Sequence, residues 1–426
     1  MKSNGSSPVP VDEGASLYTI LRNRDLILYL GGRLAASLGQ WMFATAVGWE
    51  LYERTHSALM LGLVGLTQVV PMFLLTLPAG HTADNHNRKN IIVITTIIVA
   101  CANVGMTVIS AVQAPVAWIY LCLFVIGSSQ TFLRAATASF LPQLVERKDF
   151  SRALTLSVGT FQMSWIVGPP VAGLLIGYAH HHAAPVYALN AVGAAICCIL
   201  MGMIRRHHVV AVKETMSLKA FLTGFNFVFS NRIILGVITL DMFAVLLGGA
   251  TALMPVYAKD ILHVGPRGLG LLSAALPMGA ILCGLVLAHR PPLQKAGRAL
   301  LWGVTLFGLA TIEFGVSTSF WLSFALLLAA GASDNISVVV RHTLVQMLTP
   351  DEKRGRVSAV NNLFIGTSNE LGEFESGTVA HWFGPVFAVV SGGIGTILVV
   401  IAVALIWPEI RKYGRLDGSD THDVPT

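Results

Sequence analysis

The sequence is poor in charge for its length. Of its 426 residues only 12% are Asp, Glu, Lys or Arg, against roughly 25% in soluble proteins, and 54% are hydrophobic. A soluble fold has too little interior to bury so much apolar surface, whereas a lipid bilayer accepts it, at about 20 mostly apolar residues per spanning helix. The shortage of charge therefore excludes an ordinary soluble protein and predicts a chain that crosses a membrane many times.

Motifs for phosphate, zinc and nucleophilic chemistry are missing as well. The sequence contains no G-x-x-x-x-G-K-[ST] phosphate loop, no H-E-x-x-H zinc motif and no nucleophile elbow. Its five cysteines all fall in apolar stretches, with neither metal-ligand spacing nor the pattern of a disulfide framework. We therefore expect no ATP-driven pump, no enzyme, no cofactor and no metal site.

Twelve apolar stretches can be placed along the chain, in two sets of six. A polar tail (1–25) precedes the first set, a polar linker (205–231) separates the sets, and a polar tail (408–426) follows the second. The predicted fold is an all-α integral membrane protein with two six-helix bundles, at 26–204 and 232–407. The predicted spans are 26–52, 58–80, 90–112, 115–136, 154–178, 185–204, 232–256, 268–288, 299–316, 320–341, 357–382 and 385–407.

Lysine and arginine are distributed unevenly over the connections between these spans. If the N-terminus is cytoplasmic, 21 of the 28 basic residues fall on the cytoplasmic side, and only Arg54, Lys259 and Arg267 fall in outer loops. Basic residues concentrate in the cytoplasmic loops of membrane proteins. The pattern predicts an even number of spans, with both termini cytoplasmic, in a cell (inner) membrane.

The linker contains an amphipathic pattern over residues 217–229. Leu218, Phe221, Leu222 and Phe225 fall on one helical face together with Phe229. This pattern predicts a helix that lies on the membrane surface or caps the bundle. A plain linker between the two halves is the alternative.

The two halves are related by a nearly constant shift. Six-span parallel repeats are the architecture of alternating-access transporters, in which the substrate site lies at the midplane between the halves. The repeat therefore predicts one central cavity. A shift of 208 residues places Asn23 on Asn231 and Gly62 on Gly270, and a shift of 204 places Gly168 on Gly372 and Gly173 on Gly377.

The loop after the second predicted span resembles the major facilitator superfamily, whose pattern there is G-x-x-x-D-R-x-G-R-K. Asn85 and Asn87 depart from the Arg and Gly of that pattern. The resemblance implies a conformational latch that holds the state closed to the inside. The matching residues are Gly80, Asp84, Arg88 and Lys89.

The fifth predicted span contains Gly168-Pro169-Pro170-Val171-Ala172-Gly173. Prolines kink a helix and glycines let another helix approach closely. The segment resembles the G-P-x-x-G motif of exporters and antiporters in the superfamily, which implies export. A packing kink without directional meaning is the alternative.

Other segments resemble the efflux subgroup that includes enterobactin exporters, and so imply export of a drug or a siderophore-like molecule. Many members of this subgroup carry an acidic residue near Gln40, where this chain has a neutral amide that cannot serve as a proton carrier. The resembling segments are Gly32-Arg33-Leu34, 129–145, 219–229 and Gly355-Arg356-Val357.

Charged residues inside spans are informative because each costs roughly 2.5–3.5 kcal/mol at the membrane centre. Arg33, Asp241 and Asp334 are the candidate residues of the substrate cavity. The shift of 208 puts Arg33 and Asp241 at equivalent depth, so we expect an ion pair or a divided polar site that contacts substrate. Structural pairing without a substrate role is the alternative.

Glu370 and Glu373 are the candidates for proton coupling. They are three residues apart and share one helix face, where mutual repulsion and burial both favour a proton on one of them. Hydrogen bonding to neighbouring helices without proton cycling is the alternative.

The sequence as a whole predicts a proton-coupled exporter of a small molecule that works by alternating access. An importer of a small metabolite with the same architecture is the runner-up, and an intramembrane enzyme or a sensor is disfavoured because no reactive constellation is present. The expected partners are a small-molecule substrate, protons and the lipid bilayer, without nucleic acid or an obligate protein partner.

Overall fold

The computed structural model describes residues 22–205, 218–291 and 294–414. Most of the predicted N-terminal tail, part of the linker (206–217) and the end of the C-terminal tail lie outside the described residues. Within these ranges the fold is helical, without strands. The helices are α1 Arg24–Thr55, α2 Ala58–Asn85, α3 Arg88–Ala111, α4 Ala117–Leu144, α5 Phe150–Tyr178, α6 Ala184–Gly202, α7 Leu218–Ser230, α8 Arg232–Leu247, α9 Gly265–Ala288, α10 Ala296–Val316, α11 Phe320–Leu348, α12 Arg354–Phe383 and α13 Pro385–Ile406.

Helices α1 and α8 begin with the same asparagine cap. The side-chain oxygen of Asn23 accepts hydrogen bonds from the backbone N–H groups two and three residues further on, at 3.1 and 3.3 Å. Asn231 does the same, at 3.1 Å in both cases. Such a cap contributes about 1 kcal/mol by satisfying N–H groups that have no partner inside the helix. The shift of 208 residues therefore maps one helix start onto the other.

The helix contacts repeat in the same way. In the first half α1 packs against α5 and α6, α3 against α4 and α6, and α2 against α4. In the second half α8 packs against α12 and α13, α10 against α11 and α13, and α9 against α11. The halves meet mainly through two contacts, α5 with α9 and α2 with α12. The repeat maps α2 onto α9 and α5 onto α12, so the two contacts are equivalent.

Nine helices in the described ranges are long and apolar enough to cross a bilayer. They are α2, α3, α4, α6, α8 with its continuation to Ile261, α9, α10, α11 and α13. The long helices α1, α5 and α12 are less apolar over an equivalent length, because they carry polar side chains such as Gln40, Gln162 and Glu373. Composition and length thus identify nine of the twelve predicted spans.

The start of each half and the residues around Glu409 lie on one face of the molecule, here called the near face. The Arg205 N–H donates to the Asp25 carboxylate at 3.4 Å, and Arg232 forms an ion pair with Glu409 at 3.3 Å. The opposite face, here called the far face, carries the connections 56–57, 112–116, 179–183, 262–264 and 317–319. The near face is the one that the sequence predicts to be cytoplasmic.

Helix α7 covers the predicted amphipathic segment of the linker. It packs against α8 and α12, with Val228 fully buried and the Phe225 ring stacked on Phe364 at 6.2 Å between centroids. α7 thus contacts two helices of the second half, and the role predicted for the linker stays a prediction.

Candidate functional site

A cavity of about 390 Å³ lies between the two halves, lined by residues of both. The first half contributes the side-chain amides of Gln40, Gln68 and Gln130. The second half contributes Asn369 and two carboxylates, Asp334 and Glu373. Each of these residues lies near the middle of its helix, so the polar groups surround the centre of the molecule.

An aromatic wall lines the first half of the cavity. The rings of Trp41 and Trp165 stack with centroids 4.9 Å apart, and the Phe161 ring meets Trp41 edge-on at 6.0 Å. Gly168 allows this arrangement, because a Cβ atom on it would lie 2.7 Å from the Cβ atom of Trp41. The predicted motif of α5 thus brings α5 onto α1 beside the cavity.

The charge of the cavity is one-sided. Of the described residues that line it, Asp334 and Glu373 are acidic and none is Lys, Arg or His. No described side chain forms an ion pair or a hydrogen bond with either carboxylate. The second half therefore places two acidic groups opposite the amides and indoles of the first half.

Of the three residues predicted to line the cavity, the structure places Asp334 there and the other two elsewhere. Asp241 pairs with Arg341 of α11 inside the second half, where the two residues are only 7% and 3% exposed. Arg33 is half-buried in the first half, near Tyr29 and Cys197. The predicted ion pair between Arg33 and Asp241 is therefore wrong: equal depth did not make them face each other, because Asp241 points into its own half.

Glu370 and Glu373 lie where α12 crosses α2. A Cβ atom on Gly65 of α2 would lie 3.0 Å from the Cβ atom of Glu373 and would overlap with the Glu370 carbonyl oxygen. The Glu370 carboxylate interacts electrostatically with Glu373 and with Arg134 of α4. Its buried Oε2 atom has no hydrogen-bond partner among the described residues. Glu370 and Glu373 are thus neighbours: Glu373 lines the cavity, and Glu370 lies beside the Arg134 guanidinium.

The basic residues of the predicted latch bind within the first half. Arg88 donates to the Ala83 and Ser139 carbonyl oxygens at 3.2 Å each. The Lys89 ammonium donates to the Gly202 and Ile204 carbonyl oxygens, at 2.8 and 2.7 Å. Carbonyls at the end of a helix lack intrahelical partners, so Lys89 stabilises the end of α6. Gly80 and Asp84 occupy the last turns of α2, and the latch itself stays a prediction.

Two pairs of glycines bring the halves into backbone contact on the far side of the cavity. A Cβ atom on Gly62 of α2 would lie 3.1 Å from the Gly377 Cα atom of α12. A Cβ atom on Gly173 of α5 would lie 3.2 Å from the Gly270 Cα atom of α9. The shifts of 208 and 204 residues map one pair onto the other, so the same contact is made twice.

Polar contacts reinforce this closure at the far face. The Tyr52 hydroxyl donates to the Asp260 carboxylate, and Lys259 pairs with Glu53 at 2.9 Å. Both contacts join the end of α1 to a π-helical turn, Tyr257–Ile261, that follows α8. The Arg267 guanidinium of α9 also lies 4.8 Å from the ring centroid of Tyr178 on α5. The far face is therefore sealed between the halves.

The amides and indoles of the cavity were not predicted as site residues. Charges inside spans stand out in a sequence because of their high insertion cost, whereas Gln68, Gln130 and Trp165 do not. A usable signal was present, since Gln40, Gln68 and Gln130 each interrupt an apolar stretch at mid-length.

The chain matches the family described as transmembrane secretion effectors over residues 18–422. It is 23% identical to the enterobactin exporter EntS of Shigella boydii, over 88% of this chain and 90% of that protein. The enterobactin exporter EntS of Citrobacter koseri is 24% identical over the same shares.

Solved transporter structures share the fold. A POT family transporter in complex with 5-aminolevulinic acid superposes with a TM-score of 0.73 at 9% identity, over 91% of this chain and 96% of that one. The nucleoside transporter NupG gives 0.71 at 12% identity, over 89% and 100%. A bacterial homologue of the human lysosomal transporter Spinster, inward-facing and unoccupied, gives 0.69 at 13% identity, over 94% and 96%. The predicted superfamily is confirmed: the chain is a multi-pass membrane protein that belongs to the transmembrane secretion effector family of the major facilitator superfamily.

Proposed function

We propose that this protein exports a small molecule from the cytoplasm by alternating access, in exchange for protons. The observation that carries the proposal is a central cavity between two repeated halves, sealed on the far face by a pair of equivalent glycine contacts. Such a seal must open, and another must form at the near face, for a molecule to cross. The cavity volume of about 390 Å³ suits a drug-sized molecule.

The proposed topology has twelve spans with both termini in the cytoplasm. Positive charge on the near face supports it: the basic residues of the connections 86–89, 145–149 and 349–356 all lie there. In this orientation the state seen in the structure is closed to the outside, and its cavity receives substrate from the cytoplasm.

The direction of transport is proposed from the motif in α5 and from the relatives. The curated relatives are enterobactin exporters, which supports export and makes siderophores one candidate class of substrate. The Gly168–Gly173 segment forms part of the contact between the halves, so it lies where the two alternating states differ.

Proton coupling is assigned to Glu370 and Glu373. Glu373 lines the cavity and Glu370 is its neighbour beside Arg134, so a proton on this pair changes the charge that a substrate meets. A proton that enters from the outside removes one negative charge from the pair and favours release of substrate. Loss of that proton to the cytoplasm restores the charge for the next cycle.

Inside-out membrane vesicles with an acidic lumen test both direction and coupling. We expect the vesicles to accumulate enterobactin or the cationic dye ethidium only when the protein is present and the pH gradient is intact. The substitution Glu373→Gln should lower the initial rate at least tenfold, because the gradient no longer changes the charge at that site. Glu313→Gln, an exposed carboxylate on α10, is the matched control and should retain the full rate.

Two results would contradict the proposal in different ways. Accumulation in right-side-out vesicles alone would make the protein an importer. Gradient-driven transport that survives in both Glu370→Gln and Glu373→Gln would remove the coupling role of this pair.

A further inference from the structure

Three carboxylates elsewhere between the described helices form ion pairs with basic residues. Asp241 pairs with Arg341, and Glu50 pairs with Arg54 at 3.1 Å. At the far face, Glu53 pairs with Lys259. Each of these carboxylates is paired with a basic residue of the protein, so none of them needs a ligand to balance its charge.

Asp334 and Glu373 differ from these groups. Both face the cavity, and within the described ranges neither has a cationic partner. Arg341 lies two turns further along α11 than Asp334 and is already paired with Asp241. An ionised carboxylate removed from bulk water is costly unless a counter-charge reaches it. Since no described residue supplies that counter-charge, it comes from a proton or from a cation bound in the cavity.

The opposite wall of the cavity offers aromatic and amide groups. The stacked indoles of Trp41 and Trp165 present a flat apolar surface. The face of an indole ring attracts both cations and other aromatic rings. Phe307 and Phe314 extend the apolar lining on the second half. Gln40 and Gln68 supply hydrogen bonds without charge.

From this one-sided arrangement we infer that the substrate is an organic cation with an aromatic body. Its cationic centre lies between Asp334 and Glu373, and its rings pack against Trp41 and Trp165. The inference rests on the proposed function, since it names the substrate class of the same cavity. It also separates this chain from a carrier of anionic chelators, because two unpaired carboxylates repel an ionised catecholate.

A pair of probes equal in shape and opposite in charge provides the test: tetraphenylphosphonium and tetraphenylborate. Binding of each is measured on the purified full-length protein in detergent, through tryptophan fluorescence and equilibrium dialysis. We expect saturable binding of tetraphenylphosphonium, with an affinity at least tenfold higher than that of tetraphenylborate. Asp334→Asn and Glu373→Gln should each weaken binding of the cation at least tenfold.

Two controls separate a local effect from misfolding. Glu313→Gln removes an exposed carboxylate outside the cavity and should leave the affinity for the cation unchanged. The melting temperature of each variant shows whether it is folded. Trp165→Phe keeps an aromatic ring and should reduce affinity less than Trp165→Ala does.

The outcomes separate this inference from the proposed function. Equal binding of both probes, or cation binding that is unaffected by Asp334→Asn and Glu373→Gln, overturns the inference. In that case export of enterobactin by inside-out vesicles would still support an exporter. Carboxylate-dependent cation binding without transport in either vesicle orientation would support the inference and overturn the proposed function.

Discussion

Replacing Asp241 with asparagine is expected to lower the free energy of unfolding by about 3–5 kcal/mol. The substitution leaves the Arg341 guanidinium without its counter-ion at a position that is only 3% exposed. A buried charge that has lost its partner cannot recover the solvation it had in water. The measurement is equilibrium unfolding of the purified protein by a denaturing detergent, supported by the melting temperature.

A double variant distinguishes loss of the pair from loss of packing. Asp241→Leu combined with Arg341→Met removes both charges and should recover most of the stability, because a hydrophobic replacement of a buried ion pair is often neutral or favourable. Glu409→Gln breaks the exposed pair with Arg232 and should cost about 1 kcal/mol or less. If Asp241→Asn unfolds like the unsubstituted protein, the buried pair does not stabilise the fold.

Replacing Gly173 with leucine is expected to reduce the transport rate by about 10–100-fold, equivalent to some 1.4–2.8 kcal/mol in the rate-limiting step. The new side chain has no room against the backbone of α9, since its Cβ atom alone would lie 3.2 Å from the Gly270 Cα atom and overlap with the Pro266 carbonyl oxygen. The far face can then no longer close. We therefore expect the protein to accumulate in the state that is open on that face.

Distances between spin labels on the two halves measure this shift. The labels are placed at Gln113 and Thr318, which are exposed in far-face connections of different halves, in a variant from which the native cysteines have been removed. In Gly173→Leu the two labels should move apart. Gly159→Leu is the matched control, because it lies on the same helix with nothing within 4 Å of its Cβ position. Full transport by Gly173→Leu would show that this contact does not need to close.

The repeat was readable in the sequence because packing constrains it. Gly62 and Gly270 were matched by one shift and Gly173 and Gly377 by another, and the structure joins them crosswise, Gly62 to Gly377 and Gly173 to Gly270. A position where two backbones touch tolerates only a minimal side chain, so both copies keep the residue. The sequence therefore identified the glycines that lie at helix contacts, but not which glycine contacts which.

The partner of Asp241 could not be predicted in this way. Position along a spanning helix gives the depth of a residue in the membrane, and it was on depth that Arg33 and Asp241 were matched. The direction in which a side chain points depends on which helices surround it, and that is a property of the assembled bundle. α8 packs against α12 and α13 and contacts α11, which brings Arg341 rather than Arg33 to Asp241.

The cavity was predictable in position and only partly in composition. Alternating halves imply a midplane site, and Asp334 and Glu373 were visible as charges within spans. The amides and indoles of the first half were not predicted, because these side chains cost little free energy in a membrane. They also do not recur at a regular spacing in the sequence. That omission concealed the main chemical feature of the cavity, its division into an acidic half and a neutral aromatic half.

The hydrogen bond between Tyr52 and Asp260 joins residues separated by 208 positions, which is the repeat distance itself. Equivalent positions of two related halves meet only on the pseudo-twofold axis that relates them. In a homodimer of identical chains such a point would bring each residue against its own copy, so a tyrosine could not face a carboxylate there. A hydrogen bond between two different residues on the axis, such as that of Tyr52 with Asp260, therefore requires two halves that differ in sequence. A single chain that contains both halves meets this requirement.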